Sequence, residues 1–127
     1  CQGTHFNLED RMSGPVHLTD ETFPVAIAMQ PLVVVDVWAA WCAPCRVLGP
    51  IVDRLAETYE GRVTFAKLDV DQNPITAAQF NVQSIPSLLF FQNGKLVDRT
   101  VGLLPESIAR TKVDQFIKSA PSAAQVA

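Results

Sequence analysis

Long apolar runs are missing from this 127-residue chain. None approaches the roughly 20 residues that a bilayer-spanning helix needs, and residues 1–13 are polar and mixed, unlike a secretory segment. Positive charge is scarce as well: ten Lys and Arg stand against 13 Asp and Glu, for a formal net charge of −3. These basic residues are scattered, so the basic stripe that nucleic-acid binding requires is absent. Cysteine is sparse and odd in number, at three, which argues against a framework of structural disulfides. Cys42 and Cys45 are near enough to pair, and Cys1 is left over. A first residue that is Cys rather than Met has three readings: removal of an initiator Met, the lipid-bearing start of an exported lipoprotein, or the remnant of an upstream metal-binding segment. Cys1 with His5 falls short of the four ligands of a closed zinc site.

What the chain does have is enough apolar residue, 48%, for one sizeable core in one domain. Residues 1–13 read as a loose arm, 14–119 as the domain and 120–127 as a frayed, Ala- and Ser-rich tail. Val16–Thr19 is a strand candidate. Asp20 offers an N-cap to a helix running to Met29, with Pro24 tolerated in its first turn. Leu32–Trp38 is apolar and β-branched at odd and even positions alike, so it should be a central strand covered on both faces. From Cys45 to Tyr59, apolar residues Val47, Leu48, Ile51, Val52 and Leu55 recur at helical spacing, with Pro50 inside and Gly61 as a stop. Val63–Val70 is a further strand and Pro74–Phe80 a short helix. Pro86–Phe91 and Lys95–Val101 are strands joined through Asn93-Gly94, a strong hairpin signal. Glu106–Lys118 closes the order as a helix with Ile108, Val113, Phe116 and Ile117 inward. The sequence β-α-β-α-β-α-β-β-α predicts an α/β fold, a mixed central sheet of about five strands with helices on both faces.

Cys42-Ala43-Pro44-Cys45 falls between the central strand and the helix that follows it. Unpaired amides at a helix N-terminus favour a thiolate, the attacking form of cysteine, so Cys42 is the expected nucleophile. Cys45 lies within reach to close a disulfide, and is expected to be the more buried, resolving thiol. The other reading, two zinc ligands, lacks a second Cys or His pair to complete it. Asp36 on the doubly covered strand should be buried, with its carboxyl pushed well above the ordinary range; the alternative is a strand-end Asp facing water.

The segments that carry a wider likeness are His17-Leu-Thr-Asp20, Val35–Arg46, Pro50, Ala66–Pro74, Ser84-Ile85-Pro86-Ser87, Asn93-Gly94 and Gly102. In this order and spacing they make the chain closely resemble the thioredoxin family over about Val16–Lys118. Ala43 and Ser84 stand where that family usually has Gly, and Ser87 where Thr is common. The resemblance implies the thioredoxin fold and a protein-disulfide reductase that needs no bound cofactor and no metal. It places Asp36 behind Cys45 as acceptor of the resolving thiol's proton, with Lys67 as its partner, and makes Pro86 a cis proline facing the cysteines. A flat apolar rim would surround Cys42, built from Trp41, Ala43, Pro44 and Val70 on one side. Ile85, Val101, Gly102 and Leu103 would complete it. Trp38 and Phe90 read as plain core, and His5 and His17 as surface residues without a role. The uncharged Ala43-Pro44 pair leaves the reduced thiolate without added stabilisation, which favours a reductant. Implied partners are disulfide-containing proteins, with thioredoxin reductase or a membrane thiol carrier to restore the dithiol; no nucleic acid is implied. A cytoplasmic monomer is the expected setting. Two rivals stand beside it: an exported reductase anchored through Cys1, and a redox-inactive scaffold.

Overall fold

Consecutive β-branched residues leave the segment Leu32–Trp38 no face for water. In the computed structural model, which describes residues 14–119, this segment (β2) is the middle strand of a five-stranded sheet. The other elements are β1 (Val16–Leu18), α1 (Phe23–Met29), α2 (Ala43–Thr58), β3 (Thr64–Asp69), α3 (Pro74–Gln79), β4 (Ser87–Gln92), β5 (Lys95–Val101) and α4 (Glu106–Lys118). Their order is the expected one. The strands lie β1-β3-β2-β4-β5, with β1, β3 and β2 mutually parallel and β4 antiparallel to both of its neighbours, β2 and β5. Asn93 and Gly94 both take positive φ, +51° and +84°, as a two-residue hairpin turn matched to strand twist requires. The arm at 1–13 and the tail at 120–127, with Cys1 and His5, lie outside the described residues.

Alternation along β2 divides the core in two. Val34 joins Leu48, Val52, Leu55, Phe90, Val113 and Phe116 under α2 and α4. Val33, Val35 and Val37 join Phe23, Ile27, Leu68 and Phe91 on the opposite face. Each fully buried Val, Leu or Phe contributes about 1.5–3 kcal/mol. Both layers grip one strand, so its C-terminal end, where the cysteines follow, is held from two sides.

Several details depart from expectation. Asp20 does not cap α1; its carboxylate accepts the Ile75 and Thr76 amides, at 3.2 and 2.8 Å, and so caps α3. Residues 20–22 form a turn instead, closed by Thr19 and Thr22 exchanging amide-to-hydroxyl bonds of 2.9 and 3.1 Å. Val47 and Ile108 face water, at 54% and 52% exposure. Each sits at the margin of its helix's apolar stripe, and in α4 the inward position is taken by Ala109. Phe90 is core, as expected, whereas Trp38 is only half-buried and packs against the cysteines.

Candidate active site

Chain direction builds the site. β2 delivers the backbone to Trp38, the Ala39 carbonyl accepts the Cys42 amide at 3.2 Å, and α2 starts at Ala43. Cys42 is the N-cap, in extended conformation with φ −90° and ψ 110°. Pro44 lies in the first turn, where a missing amide proton costs nothing. The Cys45 amide donates to Cys42 Sγ at 3.2 Å, so the sulfur occupies the place of a capping oxygen at the positive end of a 16-residue helix. Cys42 and Cys45 are joined as a disulfide, with 5.3 Å between Cα atoms.

The two cysteines are equally buried, each 4% exposed, which corrects the expectation that Cys45 would be the more hidden. Surroundings distinguish them instead. Cys42 Sγ faces the Ile85 carbonyl at 3.9 Å, beside the cis Ile85–Pro86 peptide. Cys45 opens on a cleft of about 410 Å³ shared with Asp36, Trp38, Lys67 and Asp53.

Asp36 is 1% exposed, and its Oδ1 has no hydrogen-bond partner among the described residues. Burial pushes its carboxyl up to about 7; Lys67 opposes the rise and Asp53 adds to it. Lys67 stands in register with Asp36 on the adjacent strand, as expected. Its ammonium nevertheless pairs with Asp53, at 3.0 Å, rather than with Asp36. The aliphatic stem crosses the cleft to the half-exposed helix face, where a charge pair keeps access to water.

Of the expected rim, Val70 and Ile85 pack directly on the cysteine pair. Trp41 is 67% exposed next to Cys42, and Ala43 and Pro44 are exposed on the first turn of α2. Gly102, with φ +95°, donates its amide to the Pro86 carbonyl at 2.8 Å, fixing the β5 end against the cis-proline loop. Val101 and Leu103 flank it, both exposed.

Four residues that line the cleft were not singled out from the sequence. Asp53 lies eight residues after Cys45 and Gly49 four, a spacing that puts all three on one helix stripe; that pattern was there to be read. His17, given no role, lines the same cleft from β1 in register with Lys67. Arg46 also lines it, and its guanidinium donates to the Ala40 carbonyl at 2.8 Å, bracing the loop before Cys42.

This geometry has clear counterparts. A family model described as Thioredoxin matches residues 14–115. Thioredoxin 2 of Chlorobaculum tepidum is 47% identical over 100 residues, 78% of this chain and 92% of that protein. Thioredoxin of Synechocystis is 38% identical over 107 residues, 84% of this chain and all of that protein. Among solved structures, a mutant thioredoxin from Halobacterium salinarum superimposes with TM-score 0.77 at 30% identity, covering 84% of this chain and 93% of that one.

Proposed function

The chain belongs to the thioredoxin family, and from that premise we propose how its residues divide the work of a protein-disulfide reductase. It cycles between a Cys42/Cys45 dithiol and the disulfide by thiol-disulfide exchange. Cys42 thiolate attacks one sulfur of the substrate disulfide, forms a Cys42–substrate bond, and expels the other substrate sulfur as thiolate, which takes up a proton. Cys45 then gives its proton to the Asp36 carboxylate and attacks Cys42 Sγ. The Cys42–Cys45 bond forms, the Cys42–substrate bond breaks, and the second substrate sulfur leaves with the electron pair. The substrate gains two electrons from the cysteine pair, and its two thiolates take up two protons from solvent, matching the one Cys42 released on ionising and the one Cys45 passes on through Asp36.

One observation carries this division: Cys42 Sγ takes the helix-cap position while Cys45 opens on the cleft holding Asp36. The first favours a thiolate at 42. The second gives the resolving thiol a base near neutral pH, where a proton acceptor is most effective. Lys67 moderates the base. Cis-Pro86 and Ile85 would offer backbone to an extended substrate segment. Trp41, Ala43, Pro44, Val70, Val101, Gly102 and Leu103 supply a weakly charged apolar rim that tolerates varied partners, with the disulfide as the shared element. The uncharged residues between the cysteines favour the reducing direction.

We read the protein as a cytoplasmic monomer restored by thioredoxin reductase. No helix among the described residues is long and apolar enough to cross a membrane. A redox-inactive scaffold is not favoured, because the cysteine pair and its buried acid are both intact. Insulin reduction with a chemical reductant tests the assignment. The wild type accelerates precipitation, Cys42→Ser is inert, and Cys45→Ser accumulates a covalent mixed disulfide through Cys42. Trapping through position 45 in Cys42→Ser, with none in Cys45→Ser, would reverse the order of attack.

A further inference from the structure

We propose that Asp53 is a positioning residue for the resolving step, holding the Lys67 ammonium away from Asp36 so that Asp36 keeps its strength as the proton acceptor for Cys45. The inference rests on the role given to Asp36 above and adds a residue that acts on it through a third.

Three observations converge. First, the cation nearest to Asp36 by strand register is committed elsewhere: Lys67 Nζ meets Asp53 Oδ1 at 3.0 Å. Second, Asp36 Oδ1 is buried with no hydrogen-bond partner among the described residues, and Lys67 acts on this carboxyl from a distance rather than as its ion-pair partner. Third, Cys45, Gly49 and Asp53 share one stripe of α2, and the middle position carries no side chain. A Cβ built at Gly49 would come to 3.5 Å from Lys67 Nζ. That is ordinary van der Waals contact, so the ammonium lies against the helix at Gly49 on its way to Asp53.

The charged and titratable groups around Asp36 come from three elements. Lys67 faces it from β3, His17 lines the cleft from β1, and Cys45, Arg46 and Asp53 line it from α2. Its β4 neighbour in register is Leu88, which carries no charge. Arg46 is tied to the Ala40 carbonyl, which leaves Lys67 as the cation whose direction is set inside the cleft. A carboxylate paired with an ammonium holds its negative charge more tightly and takes a thiol proton less readily. Directing Lys67 to a half-exposed partner avoids that pairing. The cation remains near enough to oppose the burial of Asp36, as its effect on that carboxyl shows.

The variant is Asp53→Asn, which removes one charge from a residue whose side chain is 54% exposed. Carboxyl-carbon NMR titration of Asp36 in the reduced protein reads its protonation directly, whatever the substrate. The midpoint should fall by roughly 0.5–1 pH unit, the effect of one charge acting through a partly solvated path. The acid limb of mixed-disulfide resolution, followed by stopped flow, should move with it. Asp53→Glu should restore both. In a Lys67→Met background, adding Asp53→Asn should shift the midpoint by less than half as much, because the intermediary has gone. Equal shifts in the two backgrounds would overturn positioning, as would an unmoved midpoint in Asp53→Asn. An Asp36 midpoint that moves as described while resolution ignores Asp36→Asn would leave the Lys67 geometry standing and remove Asp36 from the chemistry.

Discussion

Asp36→Asn offers the sharpest check on the electrostatics of this core. An ordinary aspartate ionises near 3.8, and burial holds Asp36 up to about 7. Below the lower value both folded and unfolded chains carry the proton, and ionisation costs the fold nothing. Between the two values the unfolded chain gives up its proton while the folded one retains it, so stability falls as pH rises. Above about 7 the loss levels off. A gap of that size, at 1.36 kcal/mol for each pH unit, amounts to about 4 kcal/mol between pH 4 and pH 8. Asparagine keeps the shape and removes the titration. Any fixed cost of its amide in a site that leaves Oδ1 unpartnered applies equally at both pH values and cancels in the difference. Urea unfolding of the oxidised protein at pH 4 and pH 8 is the assay. Wild type should lose about 4 kcal/mol relative to the variant on going from the first to the second, and the variant should gain most at pH 8. Parallel pH curves for the two proteins would mean that Asp36 titrates as an exposed acid, and the proton-acceptor argument would go with it.

Tyr59→Phe removes a hydroxyl that donates to the Asp114 carboxylate and ties the end of α2 to α4. Thermal or urea unfolding near pH 7 should show a loss of about 1–2 kcal/mol. Burial and then the Asp114 bond push this phenol up to about 12, so the wild type loses stability from about pH 10 upward and the gap between the two proteins closes. Asp20→Ala should destabilise the fold and fray α3, visible as faster amide exchange at Ile75 and Thr76. Although burial pushes the Asp20 carboxyl up, hydrogen bonds from Thr76 and Ile75 leave it below its ordinary value. That contribution fades as pH falls through the lowered value, and in acid the two unfolding curves should converge. Gly102→Ala places a Cβ at φ +95°, for a loss of roughly 1–2 kcal/mol. Because the Gly102 amide holds the Pro86 carbonyl, insulin reduction should slow as well; unchanged activity would separate that bond from substrate handling.

Local pattern was sufficient for much of this protein. The doubly covered β2 follows from apolar, largely β-branched residues at odd and even positions alike, because a strand with one wet face would alternate. The hairpin follows from Asn93-Gly94, and the position of the cysteine pair at a helix N-terminus from the strand before it and the helical spacing after it; each depends on residues adjacent in the chain. The burial of Asp36 could be read in the same way, from Val35 and Val37 beside it. What packing alone decided was the choice among partners distant in sequence. Asp20 could cap the helix next to it or one more than fifty residues away, and the turn at 20–22 aims it at the latter. Lys67 could pair with Asp36 or Asp53, and it meets Asp53 at 3.0 Å. Capping and ion pairing fall off within a few ångströms, so they are settled by which groups the finished sheet and helices bring within reach, a distance that spacing along the chain does not contain.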